Sequence, residues 1–322
     1  MALGGNASTV GVDISKRSIK IAAVRPGRKP QLLYASVFAT PEGAIEGGMV
    51  VAPHAVVTAI RQVVSAAKLR GSRAVIGMGG RNVLIRNLTF PPMPAEELKA
   101  AVKWEAERHL PLRIEDAVVD AQVVREVKTG PQRHLDVLMA AVPEREALAY
   151  YQIMTQAGLE VVAIEATALA LARTLGDTPQ PTAAIDVGAE NTELVIVQNG
   201  LPLICRSIPV GSMHLSESAP DDAVAAAADD APTLQNLLVG LSRSVDYFQA
   251  QTQGQSVARA VLSGDGALRP GLAEMIAAEL GVPTELGAPL SLFTHGRGIS
   301  QELLDHDAPL AVAAGLALRK VA

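Results

Sequence analysis

Gly11–Lys20, GVDISKRSIK, and Ala184–Thr192, AIDVGAENT, are two versions of one pattern. In each, an aspartate, Asp13 or Asp186, closes an apolar run and a tight small or polar turn follows. Ser18 lies five residues after the first aspartate, and Asn191 and Thr192 lie five and six after the second. A second turn with Gly27 or Gly200 then leads to a third strand, Gln31–Phe38 in one copy and Leu201–Ile208 in the other. A repeat of this kind is compatible with duplication of a scaffold alone. It also suits a chemistry: a sharp turn after a strand-ending Asp offers backbone N–H groups and a hydroxyl to a phosphate, while the carboxylate orients waters on Mg²⁺. Two such turns face to face would grip a polyphosphate from both walls of a cleft.

Around the first copy the chain reads as a meander, then a helix over Pro53–Leu69 with Val56, Val57, Ile60, Val63, Val64 and Ala67 on one face, then strands Ala74–Met78 and Val83–Phe90. Pro91, Pro92 and Pro94 punctuate the chain before a helix from Ala95 to Leu110. Strands near Val118–Val124 and Leu135–Val142, a helix Glu144–Gln156 stopped by Gly158, and a strand Glu160–Ile164 complete a small α+β insert. The spacing predicts three units: 1–90, a first lobe; 91–165, the insert; and 166–322, a second lobe whose last helix, Leu310–Leu318, packs back on the first. In the second lobe a helix over Thr233–Gln251 precedes a strand, Ala258–Leu262, that runs into Ser263, Gly264, Asp265 and Gly266. A glycine turn after a strand lets backbone approach a flat ligand such as an adenosine. The acidic, alanine-rich run Asp221–Asp230 is expected to be a flexible loop.

Composition narrows the function. With 322 residues the chain can bury two cores, and 49% hydrophobic but only 3% aromatic residues suit layered α/β packing of Ala, Val, Leu and Ile. A formal charge of −5 with scattered cations argues against a nucleic-acid partner. The single cysteine, Cys205, lies in an apolar run and reads as a buried, inert thiol, so neither an internal disulfide nor a thiolate cluster is expected. The six histidines have no close ligand spacing, and Glu105 with His109 reads as an exposed pair on one helix. No stretch approaches the ~18 apolar residues of a membrane span, and the N-terminus lacks a signal pattern, so a cytoplasmic protein is expected, one that meets a membrane only through a partner.

These features, in this order, resemble the actin, sugar-kinase and Hsp70 fold, an α/β, ribonuclease H-like two-lobe fold, and within it the branch of FtsA and PilM. Similarity to the PilM family is closer. Gly11–Lys20 and Ala184–Val197 look like its two phosphate hairpins, Glu46–Val50 (EGGMV) like a loop of its first lobe, and Pro91–Leu110 (PPMPAEELKAAVKWEAERHL) like the start of its inserted subdomain. Val261–Ala267 looks like its adenosine turn and Pro309–Leu318 like its closing helix. The stretch Trp104–Arg108 (WEAER) is the most specific part.

The resemblance implies ATP and Mg²⁺ in the interlobe cleft, with Asp13, Ser15, Lys16, Ser18, Lys20, Asp186, Gly188, Asn191, Thr192, Gly264 and Gly266 as nucleotide-binding residues and Asp13 and Asp186 facing the metal. It further implies an adaptor of type IV pilus biogenesis that binds the cytoplasmic N-terminal peptide of a PilN-like inner-membrane protein, contacts other pilus components and self-associates into a ring. A groove near Val83, Ile85, Leu88 and Trp104 would take the peptide, although a lone tryptophan is also commonly buried in its own subdomain's core. Two departures stand out. Ser15 replaces the usual glycine of the first phosphate turn, and the short Asp221–Asp230 segment implies a reduced outer subdomain in the second lobe. No residue stands out as a positioned catalytic base, so an adaptor is expected rather than a multi-turnover enzyme. A small-molecule kinase of the same fold would need a further cleft aspartate and a sugar-binding set, neither of which is found. An FtsA-like filament protein would carry an amphipathic C-terminal tail, and a GspL-like secretion protein a transmembrane helix.

Overall fold

A computed structural model describes residues 8–80, 82–110, 113–129, 132–215, 223–296 and 298–320. The chain opens with the meander β1 (Thr9–Ile14), β2 (Ser18–Arg25) and β3 (Gln31–Ala39), followed by the short pair β4 (Ile45–Glu46) and β5 (Met49–Val50), helix α1 (Pro53–Ala66) and strand β6 (Arg73–Met78). Next come β7 (Leu84–Phe90), α2 (Ala95–Glu107), the long hairpin β8 (Ala117–Thr129) and β9 (Gln132–Pro143), α3 (Glu144–Ala157) and β10 (Glu160–Ala166). The remainder comprises α4 (Thr167–Thr174), a second meander β11 (Thr182–Val187), β12 (Thr192–Gln198) and β13 (Leu201–Ile208), then α5 (Ala223–Gln251), β14 (Arg259–Ser263) and α6 (Leu272–Leu280). Short elements β15 (Thr284–Leu286), β16 (Thr294–His295) and α7 (Gln301–Asp305) lead to the last helix, α8 (Ala311–Ala317).

Two large sheets carry the fold, ordered β10-β6-β1-β2-β3-β16 and β13-β12-β11-β14-β15. In both, the first strand of the meander is antiparallel to the second and parallel to a strand that arrives later, β6 beside β1 and β14 beside β11. Central strands of this kind are buried on both faces and read as nearly continuous apolar runs. One face of the first sheet, through Val10, Val12 and Ile21, packs on Val56, Ile60 and Val64 of α1 and on Ile153 and Met154 of α3. The corresponding face of the second, through Ile185 and Val187, packs on Leu237, Leu241 and Phe248 of α5 and Ile276 of α6.

Helices α4 and α8 fill the space between the sheets. Every residue of α8 is buried: Ala313 and Ala314 pack against Ala22, Val24 and Leu32, Leu316 packs with Val75, and Ala311 meets Ala184 and Val195 of the second sheet. Such close approach demands missing side chains. A Cβ on Gly11 of β1 would overlap the Ala313 carbonyl oxygen, and one on Gly315 of α8 would overlap the carbonyl oxygen of Ala170 in α4. Glu165, only 3% exposed, locks this junction by ion pairs to Arg173 of α4 (2.6 Å) and to Arg319, which follows α8 (2.7 Å).

The insert is distributed differently from the sequence expectation. Strand β7, expected within the first lobe, is an edge of a separate three-stranded sheet, β7-β9-β8. Helix α2 covers that sheet through Leu98, Val102 and Ala106. By contrast α3 packs on α1 and β10 pairs with β6, so both elements join the first lobe. The loop expected over Asp221–Asp230 is corrected for residues 223–230, which form the first turns of α5, while 221 and 222 lie outside the described residues. Alanine is the strongest helix former, and Asp230, only 5% exposed, is pinned by Arg269 at 2.7 Å. The helix expected from Thr233 therefore begins ten residues earlier, with Pro232 inside it. Among the described residues no helix is long and apolar enough to cross a membrane.

Candidate functional site

The two aspartates end their strands in matching turns. Asp13 pairs in register with Lys20 across the first hairpin, and Asp186 with Glu193 across the second. Ser15 N–H donates to the Ser18 carbonyl at 3.0 Å, and Gly188 N–H to the Asn191 carbonyl at the same distance, so the turns close by the same bond. Ser15 also donates its hydroxyl to the Ser18 carbonyl (2.9 Å) and accepts from Ser18 N–H (3.2 Å). Its backbone is not in the left-handed region, which explains why serine is accommodated where the resemblance led one to expect glycine.

Both turns open on one crevice. Asp13, Ser15, Lys16, Lys20, Asp186, Gly188 and Asn191 line a cavity of about 100 Å³ between the sheets, together with Glu190, Glu193, Gly80 and Thr167. Other residues named from the sequence lie around it. Ser18 is buried behind the cavity, hydrogen-bonded to Asp265. Thr192 is fully buried and donates to the Val210 carbonyl at 2.7 Å, so it braces the hairpin. Gly264 and Gly266 form the turn after β14 and press on Val187: Gly266 N–H donates to its carbonyl at 2.8 Å, and a Cβ on Gly264, whose φ is +91°, would come within 2.6 Å of the same oxygen.

Charge is concentrated here. Lys20 Nζ lies 3.4 Å from Asp13 Oδ2 and 3.2 Å from Asp265 Oδ2, its side chain only 3% exposed. Burial works against the ammonium, but the carboxylates of Asp13, Asp265 and Asp186 outweigh it and hold the lysine charged. Burial also pushes the Asp13 carboxyl up, against the pull of Lys20. Asp186, buried near Asp13, Glu193 and Asp265, is pushed up to about 7, with burial the main cause and Lys20 opposing it. Its partner on β14 is Ser263, whose hydroxyl donates to Oδ1 at 3.1 Å. Glu193 is raised by burial as well, and is held by hydrogen bonds from Thr167 Oγ1 (2.7 Å) and Gly80 N–H (3.0 Å).

Asp265, Glu193 and Thr167 are site residues that sequence reasoning missed. Glu193 had a signal, since it follows Asp186 by the same seven positions as Lys20 follows Asp13. Asp265 had a weaker one, its place between the two glycines of the turn. In kind, these groups suit a polyphosphate with Mg²⁺: Asp13 and Asp186 could face metal-bound waters, and Lys20 and Ser18 the phosphate oxygens. Ser212 beside Gly266 adds a buried hydroxyl that has no hydrogen-bond partner among the described residues. Those residues contain no group of three or more His, Cys, Asp or Glu arranged to hold a metal unaided.

The four groove residues are not gathered together. Val83 and Ile85 line a small cavity with Thr167 and Glu193. Leu88 instead packs into the core of the insert with Val102 and Met139. Trp104 is 63% exposed on α2, with the Arg108 guanidinium 5.4 Å from its ring centroid. Cys205 on β13 is half-buried beside the same small cavity, and burial pushes its thiol up to about 12.

Comparison with known proteins places this geometry. Among solved structures, the chain is similar to one described as a PilM-PilN type IV pilus biogenesis complex, with 28% identity, a TM-score of 0.85 and 98% of each chain covered. It is also similar to the ethanolamine utilization protein EutJ from Carboxydothermus hydrogenoformans, at 14% identity and TM-score 0.56, covering 98% of this chain and 91% of that one. A third structure, MreB5 of Spiroplasma citri bound to AMPPNP, matches at 12% identity and TM-score 0.50 over 97% and 95% of the two chains. The last two likenesses speak to the fold alone, which is actin-like. The family model described as type IV pilus assembly protein PilM matches residues 11–222 and 230–321, nearly the whole sequence. With both hairpins, the insert and the closing helix inside that match, the chain belongs to the PilM family of actin-like type IV pilus assembly proteins.

Proposed function

We propose that this chain is a cytoplasmic adaptor of type IV pilus assembly, which binds the N-terminal peptide of a PilN-like inner-membrane protein on its insert and ATP with Mg²⁺ in the crevice between its sheets. The partner half of the reading rests on likeness to a protein solved as a PilM-PilN complex over 98% of both chains. The nucleotide half rests on one observation, the two strand-ending aspartates that line a single cavity with Lys16 and Lys20. Asp13 and Asp186 would orient the waters of Mg²⁺, which supplies charge neutralisation to the phosphates. Lys20 and Ser18 would bind phosphate oxygens.

Trp104 is the anchor we assign to the peptide, because a mostly exposed tryptophan on a helix offers a large apolar contact at low entropic cost. Leu88 would support that helix from the core of the insert, while Val83 and Ile85, in their separate cavity beside Thr167 and Glu193, lie apart from this anchor. An apolar peptide docked on a soluble domain is an ordinary route to a membrane complex. Fluorescence anisotropy with the labelled N-terminal peptide of the PilN-like protein tests the partner: saturable binding is expected, weakened about tenfold or more by Trp104→Ala, in keeping with ~1.4 kcal/mol for an interface aromatic. A peptide that does not bind the intact chain removes the adaptor reading. Calorimetric titration with ATP and Mg²⁺ tests the crevice, and neither heat nor a thermal shift at millimolar ATP would leave a scaffold without nucleotide.

A further inference from the structure

The first hairpin's phosphate-type donors already have an anion. Ser18 Oγ lies 3.2 Å from each carboxylate oxygen of Asp265, and Lys20 Nζ lies 3.2 Å from Asp265 Oδ2. Asp265 comes from the opposite sheet, on the turn after β14, and its side chain is only 8% exposed. That turn is fixed from behind, since Gly266 N–H bonds to the Val187 carbonyl at 2.8 Å and Gly264 N–H to the Ala308 carbonyl at 3.2 Å. The carboxylate is therefore delivered across the crevice from a rigid platform. A second link, Lys16 to Glu190 at 3.3 Å, bridges the two hairpins, but Lys16 is 36% exposed and such a pair is worth little. The buried contact dominates.

Space points the same way. About 100 Å³ is enough for a phosphate group, whereas pockets for whole small-molecule ligands run to roughly 300 Å³ or more. Ser18 lies buried behind that cavity, held by Asp265, and Lys20, which lines it, is held by the same carboxylate, so the two side chains best suited to a phosphate are occupied.

We infer that Asp265 is an internal counter-anion that latches the two lobes together and competes with the nucleotide polyphosphate for Ser18 and Lys20. The inference rests on reading the crevice as a nucleotide site, and it makes Asp265 the residue that regulates entry. A polyphosphate must displace the carboxylate before it gains the same donors, so affinity is lowered by the cost of opening a buried ion pair. Once displaced, Asp265 would be left beside Asp13 and Asp186, which favours ligands that arrive with a divalent cation.

The test uses the full chain and its Asp265→Ala and Asp265→Asn variants, with amide hydrogen exchange in the absence of nucleotide and calorimetry with ATP and Mg²⁺. Asp265→Ala should speed exchange over residues 15–20 and 264–267 and should tighten ATP binding about tenfold or more. Asp265→Asn, which keeps an oxygen acceptor but loses the charge, should fall between. Unchanged exchange overturns the latch, as does ATP affinity in Asp265→Ala equal to or below that of the parent chain. Faster exchange with no ATP binding by any of the three chains would sink the nucleotide reading, and the competition with it, while leaving the lobes joined by Asp265.

Discussion

The two phosphate-type hairpins share a backbone and differ in sign. Opposite the strand-ending aspartate, the first places Lys20 and the second Glu193. Two positions before it, the first has Gly11 and the second Ala184. The first hairpin is thus a neutralised, tightly crossed wall, and the second is an accumulation of carboxyl groups. The turn geometry depends on local hydrogen bonds and is the same in both, whereas the charged residues differ in their partners: Lys20 pairs with Asp13 and Asp265, and Glu193 is held by Thr167 and Gly80. The excess of carboxyl groups thus lies around Asp186, whereas Lys20 already has Asp13 and Asp265 as its anions.

The glycine difference should give the largest effect. Gly11→Ala drives a methyl into the backbone of α8, and a loss of about 5 kcal/mol or more is expected, seen as failure to accumulate folded protein or a large fall in urea midpoint. The mirror change, Ala184→Gly, should cost about 1 kcal/mol, the usual penalty of glycine in a strand. Equal losses would mean that α8 does not discriminate the two strands.

Next comes the charge opposite each aspartate. Lys20→Met strands the buried carboxylates of Asp13 and Asp265, and a loss of roughly 3–5 kcal/mol is expected in urea unfolding at pH 8. Glu193→Gln relieves a crowded buried carboxyl while keeping an oxygen for Thr167 and Gly80, so stability should be unchanged or higher. A destabilisation by Glu193→Gln comparable to that of Lys20→Met would erase the asymmetry between the walls.

The smallest effect is one of pH. Asp186 is pushed up to about 7 in the folded chain and titrates near 4 when unfolded. Between these values the folded state holds the extra proton, so its stabilising contribution is complete below about pH 4 and is lost as pH rises through 7. Thermal midpoints in a constant-ionic-strength series should therefore carry a component that falls by a few degrees from pH 5 to 8. Asp186→Asn should shrink that slope, and Asp13→Asn, on the wall with the lysine, should shrink it less. The reverse order would assign the perturbed proton to the first hairpin.

Much of this was legible in the sequence because it is local. Asp, turn and hydroxyl at fixed spacing reveal the hairpins, and the apolar face of the helix ending at Gln251 reveals its packing. What stayed hidden depends on distant partners. Nothing near Leu84–Phe90 says that the strand will pair with β9 instead of the first sheet, since an apolar run fits either. The Asp265 contact joins residues 245 and 247 positions apart, beyond the reach of any periodicity. The helix over 223–230 was obscured by composition: an acidic, alanine-rich run looks like solvated linker, yet the same alanines favour helix once Asp230 has Arg269 to hold.

Helix α8 has a consequence for synthesis. Strand β1 leaves the ribosome long before residues 313–317, which shield the surface presented by Gly11 and Ala22. Sheet β10-β6-β1-β2-β3-β16 must wait, with one side uncovered, until α8 has been made, and contacts so far apart in sequence form slowly. Nascent chains stalled before codon 311 should therefore remain protease-sensitive in their N-terminal meander, and those that have released Arg319 should become protected as the last helix slides home.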